Sequence, residues 1–383
     1  MTSRERLLAA LHHHEPDRIP LDLASIQVTG ISLKAYENLC DFLGISPDGV
    51  TVCDRIQQIV IPHDSFLDTI GVDTRGLWPL TSHNDFTDED EGDSHAHVDE
   101  WGFGYRMNKD DALYYNLYKS PLADRELTPG LVESYPWPDG GDPKRFAGLR
   151  EQAQVFRQAG YAVVLKSVCA GLLEMAIRLR GMENFLVDLL LDADTAALVL
   201  DKILQVKKNY FEAAIRELGD LVDVYAEADD YGTQTSQLIS GNTYRELLKP
   251  RQAVLFSLIR KHAPDAAIFF HSCGNVRPLI PDFIEIGVDI LNPVHVTATG
   301  MEPAQLKRDF GNDIVFWGGG VESQNVLPYG TPAEVRDNVK RNIEALAPGG
   351  GYVFNTIHNI QADVPPENIM AMYDALGEFG AYG

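Results

Sequence analysis

Three short segments hold the side chains best suited to chemistry. In His271-Ser272-Cys273-Gly274-Asn275 an imidazole and a thiol stand two positions apart, directly after an apolar run. Imidazole and thiolate are both good zinc ligands. A turn at Gly274 would let them face one cavity. The same residues also fit a buried cysteine beside a hydrogen-bonded histidine, because H-x-C is a short motif. The second segment, Glu227 to Tyr231, contains the pair Asp229 and Asp230. Such a pair reads as a helix cap plus a solvated carboxylate, or as groups that orient a ligand, move a proton or support a metal. The third segment carries Asn355, His358, Asn359 and Gln361.

Each segment follows an apolar stretch of strand length. The stretches run over residues 162–168, 222–226, 267–270, 288–291, 314–317 and 352–354. Helical patterns lie between them, over 243–262, 276–286, 303–310, 332–346 and 365–379. Several begin with proline at or near the first turn, where the missing N–H costs nothing. Such alternation predicts parallel strands joined by crossover helices. No G-x-G-x-x-G follows a predicted strand, which speaks against a dinucleotide fold. Six strand–helix units after residue 160, with room for two before it, predict an α/β (β/α)₈ TIM barrel. Such a barrel carries its chemistry at the C-terminal ends of its strands.

The first 160 residues are less regular and are read as early barrel elements carrying insertions. Thr2 and Glu5 have capping-box spacing and predict a helix over 2–14. Residues 19–23 read as a first strand, 33–43 and 64–70 as helices, and 74–77 and 102–107 as strands. The acidic stretch 85–105 reads as a loop or hairpin excursion from a single barrel domain spanning 1–383. His95 and His97 fall in it and are read as solvated. Gly318-Gly319-Gly320 fits a phosphate cradle or a tight turn. The glycines at 349–351 precede a strand and read as a turn.

The net charge of the 383 residues is −24. This balance argues against nucleic-acid and anionic membrane partners, which need clustered lysine and arginine. The four cysteines are dispersed, without a C-x-x-C pair. That usage predicts a reducing compartment. The N-terminal helix lacks the apolar core of a signal peptide, and no run reaches membrane-spanning length. A cytoplasmic protein is expected.

The chain resembles the uroporphyrinogen decarboxylase-like superfamily, which comprises the true decarboxylases and the zinc- and corrinoid-dependent methyltransferases. The resemblance rests on Arg4-Glu5-Arg6, Glu15 to Pro20, Asp229-Asp230-Tyr231-Gly232, His271 to Asn275, Asp289 to Pro293, Trp317-Gly318-Gly319 and His358 to Gln361. It implies a (β/α)₈ barrel. In the methyltransferase branch an H-x-C pair and a later cysteine bind zinc. Counted back from Pro366-Glu367-Asn368-Ile369, the position of that cysteine holds His358. The resemblance thus implies Zn²⁺ on His271, Cys273 and His358, with Asn359 and Gln361 as outer-shell partners. One thiolate and two imidazoles leave zinc with a net charge near +1, which favours polarising a bound oxygen over activating a bound thiolate.

The function expected is a zinc-dependent, corrinoid-linked methyltransferase acting on a small methoxy- or methyl-bearing substrate. Its corrinoid (cobalamin) would be free or carried by a partner protein. Asp229 and Asp230 are the expected catalytic residues. Tyr231, Asn292, Trp317, Gly318 and Asn355 are the expected substrate-binding ones. A metal-free decarboxylase of a tetrapyrrole or smaller carboxylic acid is the alternative. Residues 21–30 contain no arginine or lysine, however, where the decarboxylases carry an arginine-rich segment. A third reading is a barrel that binds a ligand without catalysis.

Overall fold

The computed structural model describes residues 1–110 and 113–383. Among these, seven strands lie side by side in sequence order: Thr74–Leu77, Ala162–Leu165, Val224–Ala228, Ala267–His271, Ile290–Asn292, Val315–Trp317 and Tyr352–Val353. Each neighbouring pair is parallel. Helices intervene between successive strands after residue 162, including Lys249–His262, Pro303–Phe310 and Pro332–Leu346. The last of these opens with the capping box Thr331/Glu334 and Pro332 at its first position.

Side chains alternate along these strands and divide the core in two. Val224, Ala226, Phe269, Ile290, Val315, Trp317 and Val353 form one buried cluster, together with Ala162, Val164 and Leu7. Tyr225, Ile268, Phe270, Leu291, Phe316 and Tyr352 belong to the other, with residues of the covering helices. Burial on both faces explains why these strands read as continuous apolar runs. His271 and Asn292 continue the phase of Phe269 and Ile290, which carries them to the C-terminal rim of the inner cluster.

Residues 19–23 make a short bridge rather than a full strand. Leu21 bridges Phe354 in parallel. Asp22 N donates to Phe354 O at 3.0 Å, and Asp73 N donates to Leu21 O at 2.8 Å. The two outer strands of the sheet therefore meet the same segment. The N-terminal helix covers Ser3–Leu11, with the Thr2/Glu5 capping box in place. It stops short of the expected residue 14, and His13 takes a left-handed φ of 56°.

The acidic excursion is more ordered and longer than expected. Glu89–Glu91, Ser94–Val98, Gly104–Asn108 and Asn116–Lys119 form an antiparallel sheet. It continues past residue 105. His97 is not solvated: it is buried and stacked on Phe86, with ring centroids 3.6 Å apart. Burial pushes its pKa down to about 4. A smaller sheet of Ile31–Ser32, Ile59–Ile61 and Thr51–Asp54 packs before it in the chain. Among the described residues, no helix is long and apolar enough to cross a membrane.

Candidate metal centre

Two glycines let the chemistry-bearing loops touch. A Cβ on Gly232 would lie 2.4 Å from Cys273 O, and one on Gly274 would lie 2.5 Å from the Gly232 carbonyl carbon. Gly274 also has φ +82°. Only glycine tolerates both conditions. The turn after Val224–Ala228 is thereby held against the turn after Ala267–His271.

Asp230 Oδ1 accepts a hydrogen bond from Cys273 N at 2.8 Å. It also lies 3.7 Å from His271 Nε2. His271 Nε2 is 3.3 Å from Cys273 Sγ. Asp230, His271 and Cys273 thus offer three ligand atoms within 4.8 Å of one another. Tetrahedral zinc at ordinary bond lengths needs separations of roughly 3.4–3.6 Å.

The hydrogen-bond chain behind His271 fixes its tautomer. Asn292 Nδ2 donates to Trp317 O at 2.7 Å, so Asn292 Oδ1 must be the atom facing His271 Nδ1, at 2.5 Å. Nδ1 then carries the proton, and Nε2 presents a lone pair to Asp230 and Cys273. Burial lowers the pKa of His271 and keeps it neutral. Burial raises Cys273 well above the ordinary thiol range, and the Asp230 charge adds to this. A lone pair, a carboxylate oxygen and a sulfur converge here. A divalent cation would stabilise that arrangement and release the thiol proton.

His358 stands one ring away. Its centroid is 5.7 Å from that of His271, at an interplanar angle of 68°. Burial, followed by neighbouring His271, pushes its pKa down to about 4. It is therefore a neutral imidazole able to bind a metal. The expected third position of the tight cluster is nevertheless held by Asp230, with His358 beside it. Asn359 donates to Gln27 O at 3.2 Å and to Gln57 Oε1 at 2.9 Å, and it accepts from Gln361.

The other expected site residues take supporting places. Asp229 accepts from Leu173 N at 2.9 Å, Glu174 N at 3.0 Å and Tyr231 OH at 2.6 Å. These two backbone donors open the helix Leu172–Arg180, whose N-cap is Gly171. Asp229 thus supplies the capping oxygens that Gly171 lacks. Burial raises its pKa, while its three donors hold it as the acceptor that the geometry requires. Asp229 thereby positions the start of that helix.

Tyr231 is fully buried, packs against Tyr244 and accepts from Gln252 at 2.9 Å. It buttresses Asp229. Asn292 orients His271. Trp317 belongs to the inner core, with its indole N–H on Asp22 at 3.1 Å. Gly318 has φ +102°, and a Cβ there would meet Thr356 O at 2.9 Å. Gly318 N and Gly320 N already donate to Val353 O and Asn355 O, so this run serves as a tight turn. Asn355 donates to Asp22 O at 3.0 Å and to Thr29 O at 3.3 Å, pinning residues 22–29 over the rim.

A cavity of about 80 Å³ opens beside the cluster, and Asp230, His271 and His358 line it. So do Lys166, His83 and Arg178, which the sequence reading did not single out. Lys166 had one visible signal, a lysine inside an apolar run directly after Ala162–Leu165. His83 lies in the irregular N-terminal region, where no pattern marks it. Its Nδ1 meets the fully buried Asp54 Oδ2 at 2.7 Å.

Comparison with known proteins agrees with this architecture. Uroporphyrinogen decarboxylase from Teredinibacter turnerae is 29% identical over 198 residues, 50% of each chain. The same enzyme from Hahella chejuensis is 27% identical over 190 residues, 48% of each chain. The chain therefore aligns with about half the length of these curated relatives. A solved methyltransferase from Methanosarcina mazei shares the fold, with a TM-score of 0.68 over 99% of both chains at 19% identity. The uroporphyrinogen decarboxylase (URO-D) family model matches residues 115–379. That match covers more than half of the sequence, and the chain belongs to the URO-D family.

Proposed function

We propose that this protein is a zinc-dependent, corrinoid-linked methyltransferase acting on a small methoxy- or methyl-bearing substrate. The observation that carries this reading is the convergence of His271 Nε2, Cys273 Sγ and Asp230 Oδ1 with the histidine tautomer set from behind. His271 and Cys273 would hold the metal, joined by His358 and by Asp230. With Cys273 and Asp230 both ionised, the ligand set balances a divalent charge. Zinc bound there would supply Lewis acidity toward a substrate oxygen or sulfur. Asp230 would be among the residues holding the metal and could take or return a proton of a heteroatom bound nearby. Asn292 keeps His271 turned toward the site, and Asp229 keeps the Asp230 turn seated on the helix Leu172–Arg180. The methyl carrier implied by the family resemblance is a corrinoid, free or on a partner protein.

The cavity volume of about 80 Å³ supports a small substrate. The names of the curated relatives favour a second reading, decarboxylation of a tetrapyrrole or a smaller acid. The cavity size and the absence of arginine and lysine over 21–30 weigh against the tetrapyrrole. On architecture, we read the Leu21 segment as the eighth member of a closed barrel comprising a single domain. The four cysteines are free, which suits the cytoplasm.

Elemental analysis of zinc-reconstituted protein tests the metal. About one zinc per chain is expected, lost in Cys273→Ala. Methyl transfer from small methyl ethers to reduced cobalamin, followed by its visible spectrum, tests the reaction. A Cys273→Ala variant with full zinc and full activity would sink the reading.

A further inference from the structure

Lys166 is a buried lysine without a carboxylate in contact among the described residues. It is 4% exposed, yet its ammonium has no hydrogen-bond acceptor or ion-pair partner among the described residues. Its neighbour is the Trp78 ring, whose centroid is 5.2 Å from Nζ. A ring face steadies the charge but leaves the three N–H donors unsatisfied.

Nearby carboxylates are committed elsewhere. Glu227 accepts from Lys207 Nζ at 2.5 Å and from Ser167 Oγ at 2.8 Å. Asp54 accepts from Gln57 N at 2.9 Å and holds His83 Nδ1 at 2.7 Å. Asp230 faces Cys273 N and the metal cluster. An amine that faces a cavity without a protein acceptor gains from an anion placed beside it. Lys166 lines the cavity that also contains Asp230, His271 and His358. His83 lines it too, and its Nε2 has no protein partner among the described residues.

We propose that the substrate is a small monocarboxylate, its carboxylate received by Lys166 Nζ beside His83, the rest of the molecule reaching the Asp230–His271–Cys273 cluster. Arg178, which also lines the cavity, faces Glu174 at 3.4 Å, so Lys166 is the lining lysine or arginine left without a carboxylate among the described residues, and about 80 Å³ suits a monoanion of few heavy atoms. A phosphate dianion or a polycarboxylate would need more cations. Asp54 Oδ2 meets His83 Nδ1 at 2.7 Å and fixes the ring from behind. This inference deepens the reading of the cluster as the place where the substrate heteroatom is held, and it rests on that reading.

The test is calorimetric titration of chelator-treated, metal-free protein, so that no carboxylate binds through zinc. The probes are acetate, propionate, butyrate and methoxyacetate, each against its primary amide. At least one carboxylate should bind tenfold or more tightly than its amide. Lys166→Met and Lys166→Gln should lose that preference, and Lys166→Arg should keep part of it. Both neutral variants remove a buried charge, so their Tm should be unchanged or higher. Carboxylates that do not bind, or that bind no better than amides, overturn the proposal. So does full preference in Lys166→Met. Zinc content of the same variants is measured separately. Loss of the metal reading and loss of the carboxylate reading are thereby told apart.

Discussion

Asn292 Oδ1 accepts from His271 Nδ1 at 2.5 Å, while Asn292 Nδ2 is tied to Trp317 O at 2.7 Å. One amide thus reads a backbone carbonyl on one side and sets an imidazole tautomer on the other. Three adjacent strands take part, since His271, Asn292 and Trp317 each end one of them. The nitrogen left unprotonated is the one that faces Cys273 and Asp230.

Asn292→Ala should lower zinc affinity by about 10–100-fold, the usual effect of losing an outer-shell partner. Asn292→Asp retains an acceptor for Nδ1–H and should fall between the two. Competition against a chromophoric chelator measures this. Wild-type affinity in Asn292→Ala would show that the tautomer is set by something else.

Neighbouring aspartates should separate by phenotype. Asp229→Asn should cost about 1–2 kcal/mol of stability, typical of a lost helix cap, with zinc still bound. Gly171→Ala should be damaging too, because its Cβ would lie 2.0 Å from Asp229 Cγ. Overpacking of this kind costs about 1–3 kcal/mol. Asp230→Asn should instead weaken zinc binding at nearly wild-type stability. Urea melts and metal analysis on the three variants decide the assignment, and exchanged phenotypes would reverse it.

Asp54 should contribute to acid unfolding. Although burial alone would raise its pKa, His83 outweighs this and the carboxyl is lowered to about 2. A folded-state value below the unfolded one means stability that is complete above the unfolded value, near pH 4. That stability is lost as pH falls through the folded value. A depression of this size is worth on the order of 2 kcal/mol. Urea melts between pH 5 and 2 should therefore show a shallower decline in Asp54→Asn than in wild type. Parallel declines would remove Asp54 from the acid transition.

Uroporphyrinogen should not be turned over at an enzymatic rate. The rim segment 21–30 carries no cation, and the cavity of about 80 Å³ is far smaller than a tetrapyrrole. Anaerobic incubation with product analysis is the measurement. Formation of coproporphyrinogen at ordinary rates would restore the decarboxylase reading.

Much of the frame was legible from the chain alone. Apolar period and end signals are local, so Leu33–Leu43, Asp64–Ile70, Thr74–Leu77, Pro303–Phe310 and Pro332–Leu346 fall where their residues predict. His271 and Cys273 stand at a strand end because that strand ends where its apolar run ends. The tertiary structure decided what each polar group faces. Asp229 and Asp230 are adjacent in sequence, yet one caps a helix 55 positions away and the other faces the metal cluster. Asn292 and Tyr231 read as ligand-binding residues in sequence, and the fold sets them against His271 and Asp229. Lys166 and His83 gained importance only when distant loops folded over them. A side chain's type is written in the chain, whereas its partner is set by which remote element closes over it, through contacts that no local period encodes.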